Sequence, residues 1–216
     1  MLKTKVKASS ITNLTDARYF AAWEVEWLGF NLDPLSENYI DPASMKAIKE
    51  WVDGVKIVGE FSSPSTQDIP EAVQLLDLDA VQFSPFSTVE EISNLAITVP
   101  IFLEVIIEPG QSEAAIRDLL EPYQGLVQYF LINLDKNGIN WEAVKARRVL
   151  SADFLSELCE TFPSIISIDV RKEDLTEFLE KVRPSGLNLK GGDEEKTGFK
   201  SFDQLDEIFE SLEILV

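Results

Sequence analysis

Histidine is absent from the 216 residues, and cysteine occurs once, at Cys159. The first absence removes any Ser-His or Cys-His dyad and any imidazole-ligated metal site. A single cysteine cannot close an internal disulfide, which suits a reducing compartment and sets the expectation of a cytoplasmic protein. Positive charge is scarce: 19 Lys and Arg stand against 38 Asp and Glu, a formal net charge of −19. Nucleic acid and anionic membranes both demand a basic face, so neither is expected as a partner. Long apolar runs are missing too. The longest, Val99 to Ile107, is short and carries Glu104, which rules it out as a membrane span. The opening, Met1 to Leu14, alternates Lys with small residues and has no apolar region of the kind that directs secretion. With no dinucleotide fingerprint and no metal-ligand cluster, no cofactor and no metal are expected.

What is present is a packed core in waiting. Apolar residues make up 45% of the chain and include thirteen Phe and four Trp, enough to exclude disorder. No linker or low-complexity segment divides the sequence, so residues 1–216 read as one domain. Short β-rich runs alternate with amphipathic stretches throughout. The strand candidates are Thr4–Ser9, Trp27–Asn31, Val55–Glu60, Ala80–Ser84, Ile101–Ile106, Tyr129–Asn133, Ser164–Ile168 and Gly186–Leu189. Most are nearly continuous apolar runs, the pattern of strands covered on both faces.

The intervening segments carry helix start signals. Asp41 before Pro42 is an N-cap followed by proline at the first helical position, with Met45, Ile48 and Val52 on one face. Asn13 before Asp16 and Ala17, and Ser112 before Ile116 and Leu119, have the same character. Ser201 with Gln204 reads as a capping box ahead of Leu205, Ile208, Phe209 and Leu212. Gly186 after Pro184 reads as the stop of the Phe178–Val182 helix. Eight strands alternating with eight helices predict a parallel α/β sheet that closes as a (β/α)8 TIM barrel, although periodicity alone also fits an open doubly wound sheet.

Six ordered fragments decide between these. The run Val6-Lys7-Ala8-Ser9-Ser10-Ile11-Thr12-Asn13, then Asp16-Ala17, is similar to K-[IV]-C-G-[IL]-T-N…D-A. Trp27-Leu28-Gly29-Phe30 is similar to A-L-G-F, and Pro34-Leu35-Ser36-Glu37-Asn38-Tyr39-Ile40 to P-K-S-P-R-Y-[IV]. Asp79-Ala80-Val81-Gln82-Phe83 is similar to D-A-V-Q-L. Gly186-Leu187-Asn188-Leu189-Lys190-Gly191-Gly192 is similar to G-V-D-V-S-S-G, and Gly198-Phe199-Lys200 to the G-x-K that follows. In this order, from one terminus to the other, the fragments resemble phosphoribosylanthranilate isomerase. That resemblance implies a single TIM barrel.

The resemblance also implies a chemistry: an Amadori rearrangement of an aminoaldose phosphate. A general acid opens the ribose ring and a general base removes the C2′ proton, and both must change protonation state near neutrality. The family uses a Cys base at the end of the first strand and an Asp acid at the end of the sixth. Ser9 and Asn133 occupy those positions here. A lone hydroxyl is a poor base, and an amide has no titratable proton to give. The family's Arg in S-P-R-Y is Asn38. Its Gly-Gly phosphate turn after strand seven is Ile168-Asp169, where a branched side chain and a carboxylate oppose phosphate. Only Lys190, Gly191 and Gly192 after strand eight remain as an anion-binding turn, beside Gln82 as a further substrate contact.

Asp135, two residues beyond Asn133, would face the same side if the strand continued, roughly 6.5 Å further along, and would then be a displaced acid. A solvated loop aspartate is the plainer reading. Asp33, Glu60, Glu104 and Asp169 sit near strand ends and suggest an acidic mouth for a cation or amine. Cys159, with Phe154, Leu155, Leu158 and Phe162, reads as a buried, inert thiol. Three functions stay open. One is a divergent homologue without isomerase activity that binds a small molecule, phosphorylated or not, or a protein, as monomer or homodimer. The second is an active isomerase of tryptophan biosynthesis using displaced groups. The third is a different reaction at the acidic mouth. The residues favour the first.

Overall fold

The computed structural model describes residues 1–63, 68–191 and 202–214, together with the backbone of 194–196 and 199–200. Gly192, Gly198 and Ser201, named above, lie outside the described residues. Eight parallel strands close into one barrel in sequence order. They are β1 (Lys5–Ser9), β2 (Trp27–Asn31), β3 (Lys56–Phe61), β4 (Ala80–Phe83), β5 (Ile101–Ile106), β6 (Tyr129–Asn133), β7 (Ser164–Ser167) and β8 (Gly186–Lys190). Closure comes from β1 pairing with β8, Lys5 opposite Gly186 through Ser9 opposite Lys190. The helices between them are α1 (Leu14–Ala22), α2 (Pro42–Lys49), α3 (Ile69–Leu76), α4 (Val89–Ser93), α5 (Glu113–Leu120), α6 (Trp141–Lys145), α7 (Ala152–Thr161), α8 (Leu175–Val182) and α9 (Asp203–Leu212). The chain thus carries two helices, α6 and α7, between β6 and β7, where the sequence pattern suggests one.

The cap signals act as the sequence indicates. Asp41 accepts from the backbone of Ala43 and Ser44, Asn13 from Asp16, and Ser112 from Ala115. On α5 the buried pair is Ile116 and Leu120; Leu119 faces solvent. Two boundaries differ. The C-terminal helix begins after Phe202, one residue beyond the expected Ser201 cap, which lies outside the described residues. Helix α8 stops at Arg183, which takes the left-handed conformation at φ 53°. Gly186 is not that stop but the first residue of β8.

Its side chain is missing for a packing reason. A Cβ on Gly186 would lie 2.8 Å from both Ile165 Cδ1 and the Lys5 carbonyl oxygen, on the two strands that flank it. Gly186→Ala is therefore expected to lower stability by about 1–3 kcal/mol, the usual cost of overpacking. A urea midpoint unchanged from the parent would contradict this.

Alternation along the strands creates two apolar regions. Val6, Ala8, Leu28, Phe30, Ile57, Val81, Phe83 and Ile166 point outward and pack with the helices in the larger core. Trp27, Val58, Ala80, Phe102 and Ile165, with Tyr129, form a separate cluster and plug the barrel interior. Trp27, Phe102 and Tyr129 meet there at ring separations of 5.1–5.4 Å. Cys159 is buried on α7, and desolvation pushes its thiol up to about 12, as an inert core cysteine requires. No helix among the described residues is long and apolar enough to cross a membrane.

Candidate functional site

Above the apolar plug, the inward positions turn polar. The same alternation that places Trp27 and Phe102 inside also places Lys7 and Ser9, Asn31, Glu60, Gln82, Glu104, Asn133, Asn188 and Lys190 inside, toward the carboxyl ends of the strands. There they surround a cavity of about 450 Å³, to which every one of them except Lys7 contributes lining. This is the end of a barrel at which ligands bind.

Lys7 lies beneath the cavity with no side-chain exposure, and Glu60 beside it is 6% exposed. The Lys7 Nζ donates to Glu60 Oε1 at 2.5 Å and to Ser9 Oγ at 2.6 Å. Ser9 Oγ donates onward to Asn188 Oδ1 at 2.6 Å, and Asn188 Nδ2 to Ser167 Oγ at 3.3 Å. The second Glu60 oxygen accepts from the Ser10 backbone at 3.2 Å and the Ser10 hydroxyl at 3.4 Å. A buried charge needs such complete pairing. Gly29 makes room for it: a Cβ there would stand 2.1 Å from Glu60 Oε1 and 2.8 Å from Lys7 Nζ.

The chemical consequence falls on Ser9. Its oxygen accepts from the ion-paired Lys7 and its proton goes to a neutral amide. Lys7, facing Glu60, is a donor to the hydroxyl rather than a base for it, so the contact is not an activated nucleophile. Asn133 is equally committed. Its Nδ2 donates to Glu104 Oε1 at 2.7 Å, and its Oδ1 accepts from the Lys136 backbone at 2.9 Å. The Lys136 Nζ stands 3.9 Å from the other Glu104 oxygen.

Of the residues singled out from sequence, Ser9, Asn133, Asn38, Gln82 and Lys190 line the cavity together. Asp135 does not. Strand β6 ends at Asn133, and Asp135 opens a 3-10 turn, Asp135–Asn137, and faces solvent. The continued strand that would have carried its carboxylate inward is absent. Asp169 also lies outside the lining. Strand β7 ends at Ser167, Asp169 bridges to Asn140 instead, and its carbonyl accepts from the Trp141 backbone at 3.0 Å. Gly191 is half-buried beside Lys190 but does not reach the cavity. The acidic mouth is thus reduced to Asp33, Glu60 and Glu104. Among the described residues, no group of three or more His, Cys, Asp or Glu is placed to hold a metal ion.

Lys7, Asn31, Lys136 and Asn188 are contributors that motif reading passed over. Three of them carried a usable signal: Lys7, Asn31 and Asn188 are polar residues at inward positions of otherwise apolar strands.

No family model matches the chain. Curated relatives do, along most of its length. The N-(5'-phosphoribosyl)anthranilate isomerase of Nitrosomonas eutropha is 23% identical over 209 residues, covering 94% of each chain. That of Rhizobium etli is 26% identical over 189 residues, 86% of this chain and 83% of the relative. Along most of its length the chain is similar to phosphoribosylanthranilate isomerases. Solved isomerases share its fold: that of Thermus thermophilus superposes with a TM-score of 0.71 at 24% identity, over 97% of this chain and 98% of the other. The Thermotoga maritima isomerase gives 0.74 at 20% identity with the same coverage.

Proposed function

We propose that this isomerase-related barrel does not carry out the Amadori rearrangement and instead binds a small molecule at its mouth. One observation carries the reading. The two positions that match the family's proton-transferring groups hold a hydroxyl and an amide, and both are engaged by neighbours, Ser9 with Lys7 and Asn188 and Asn133 with Glu104 and Lys136. Neither exchanges a proton near neutral pH. Asp135, the sequence-level substitute for the acid, faces solvent away from the cavity. The strand-seven turn that would grip phosphate carries Ile168 and Asp169, and Asn38 replaces a cationic contact. The cavity itself persists, with a volume suited to a small ligand.

The test is genetic. Cells lacking phosphoribosylanthranilate isomerase and expressing this chain are expected not to grow without tryptophan. Robust growth would overturn the reading. In that case Glu104, the carboxylate 2.7 Å from Asn133, becomes the first residue to replace, because it is the nearest titratable group to the acid position.

A further inference from the structure

The lining of the mouth also specifies the kind of molecule that fits it. Three carboxylates, Asp33, Glu60 and Glu104, and two lysines, Lys136 and Lys190, contribute to the wall. Glu60 is matched from below by Lys7, and Glu104 has Lys136 at 3.9 Å. A phosphate or carboxylate ligand only accepts hydrogen bonds and would face those carboxylates. An ammonium ligand only donates and would face the lysines. The rest of the polar wall consists of five carboxamides and five serines. Carboxamides and hydroxyls each donate and accept, and an uncharged ligand hydroxyl answers both in kind.

Ser9, Asn133 and Asn188 are engaged by neighbours within the protein, but one group of the wall is not. Gln82 Oε1 is buried and, among the described residues, has no hydrogen-bond partner. A buried acceptor in that condition is costly unless something else supplies a donor. Gln82 lies in one register row with Glu60 and Asn31 across β4, β3 and β2. Asn31 uses its carbonyl to accept from the Asp33 backbone and also lines the cavity. Phe86, also part of the wall, is 85% exposed at the rim, where an aromatic ring offers a face to C–H groups.

We propose that the molecule bound at this mouth is an uncharged polyhydroxylated compound, a sugar or polyol without phosphate, held over β2–β4 by Gln82 and Asn31 and covered by Phe86. The proposal rests on the reading of the mouth as a small-molecule site.

A panel of neutral aldoses, ketoses and polyols, each beside its phosphorylated counterpart, and inorganic phosphate alone, tests it by calorimetric titration and thermal shift on the full chain. At least one neutral member is expected to bind saturably and to raise the melting temperature. Its phosphorylated counterpart should bind at least about tenfold more weakly. Gln82→Ala should weaken the neutral ligand by about tenfold, the loss expected for one hydrogen bond in a closed site. Phe86→Ala, at an exposed position that leaves folding intact, should weaken it severalfold. Tighter binding of the phosphorylated members, or no binding by any neutral one, overturns the proposal. Conversion of N-(5'-phosphoribosyl)anthranilate is measured on the same sample. Phosphate preference without conversion removes this inference and leaves the non-isomerising reading standing, whereas conversion removes that reading itself.

Discussion

Glu60→Gln is expected to lower the unfolding free energy by about 3–5 kcal/mol, the usual consequence of leaving one partner of a buried ion pair uncompensated. Lys7 has no side-chain exposure and Glu60 is 6% exposed, so solvent cannot replace the lost partner. Lys7→Met should cost a similar amount from the other side, because Glu60 would keep only the Ser10 donors at 3.2 and 3.4 Å. The joint change Lys7→Met with Glu60→Leu is expected to recover most of the loss, since apolar residues of similar volume replace buried pairs well. The readout is the urea midpoint at constant slope. Single changes costing less than about 1 kcal/mol, the range of exposed pairs, would show that water reaches Lys7 and that the cavity floor is open.

Restoring the family's acid and base is the second large test. Each such group is typically worth about 10²–10⁴ in rate, so a site deficient in nothing else would gain enormously from both. The variant Ser9→Cys with Asn133→Asp is nevertheless expected to stay without useful turnover of N-(5'-phosphoribosyl)anthranilate. The thiol would sit beside Lys7 and the new carboxyl beside Glu104, but the strand-seven glycine turn that the resemblance implies for phosphate would still be Ile168 and Asp169. A carboxyl beside Glu104 also meets like charge, which alters its proton affinity. Turnover is expected only once Ile168→Gly and Asp169→Gly are added. Appreciable rates from the double variant alone would show that phosphate binding had survived.

The alternation of strands and helices was legible because the strands are short apolar runs separated by capped helices; the closed barrel was legible only through the ordered motif fragments, since periodicity also fits an open sheet. Asp41 with Pro42 and Asn13 with Asp16 marked helix starts through local chemistry that tertiary structure did not override. What failed was position beyond strand ends. The displaced-acid reading of Asp135 needed β6 to continue, and Asp169 was set at the mouth from its nearness to a strand end, yet β6 and β7 stop at Asn133 and Ser167 and the backbone turns away, leaving Asp135 the exposed loop aspartate of the plainer reading. Gly186 is readable as the first residue of a strand, but its second reading as a helix stop fails because glycine at a stop and glycine under a steric roof look alike in sequence, and only the neighbouring strands distinguish them. The Lys7–Glu60 pair spans 53 positions and depends on the space at Gly29, so no motif reveals it. The alternation of β1 does place Lys7 and Ser9 on one side, which makes an interior lysine readable once the barrel is accepted.

The central claim is that the residues replacing the acid and base do not move protons. The direct measurement is the conversion of N-(5'-phosphoribosyl)anthranilate by the purified wild-type chain, followed over time against a buffer blank. The account expects a rate indistinguishable from the blank at any protein concentration. Turnover at an ordinary enzymatic pace, about 1–10³ per second, would contradict it.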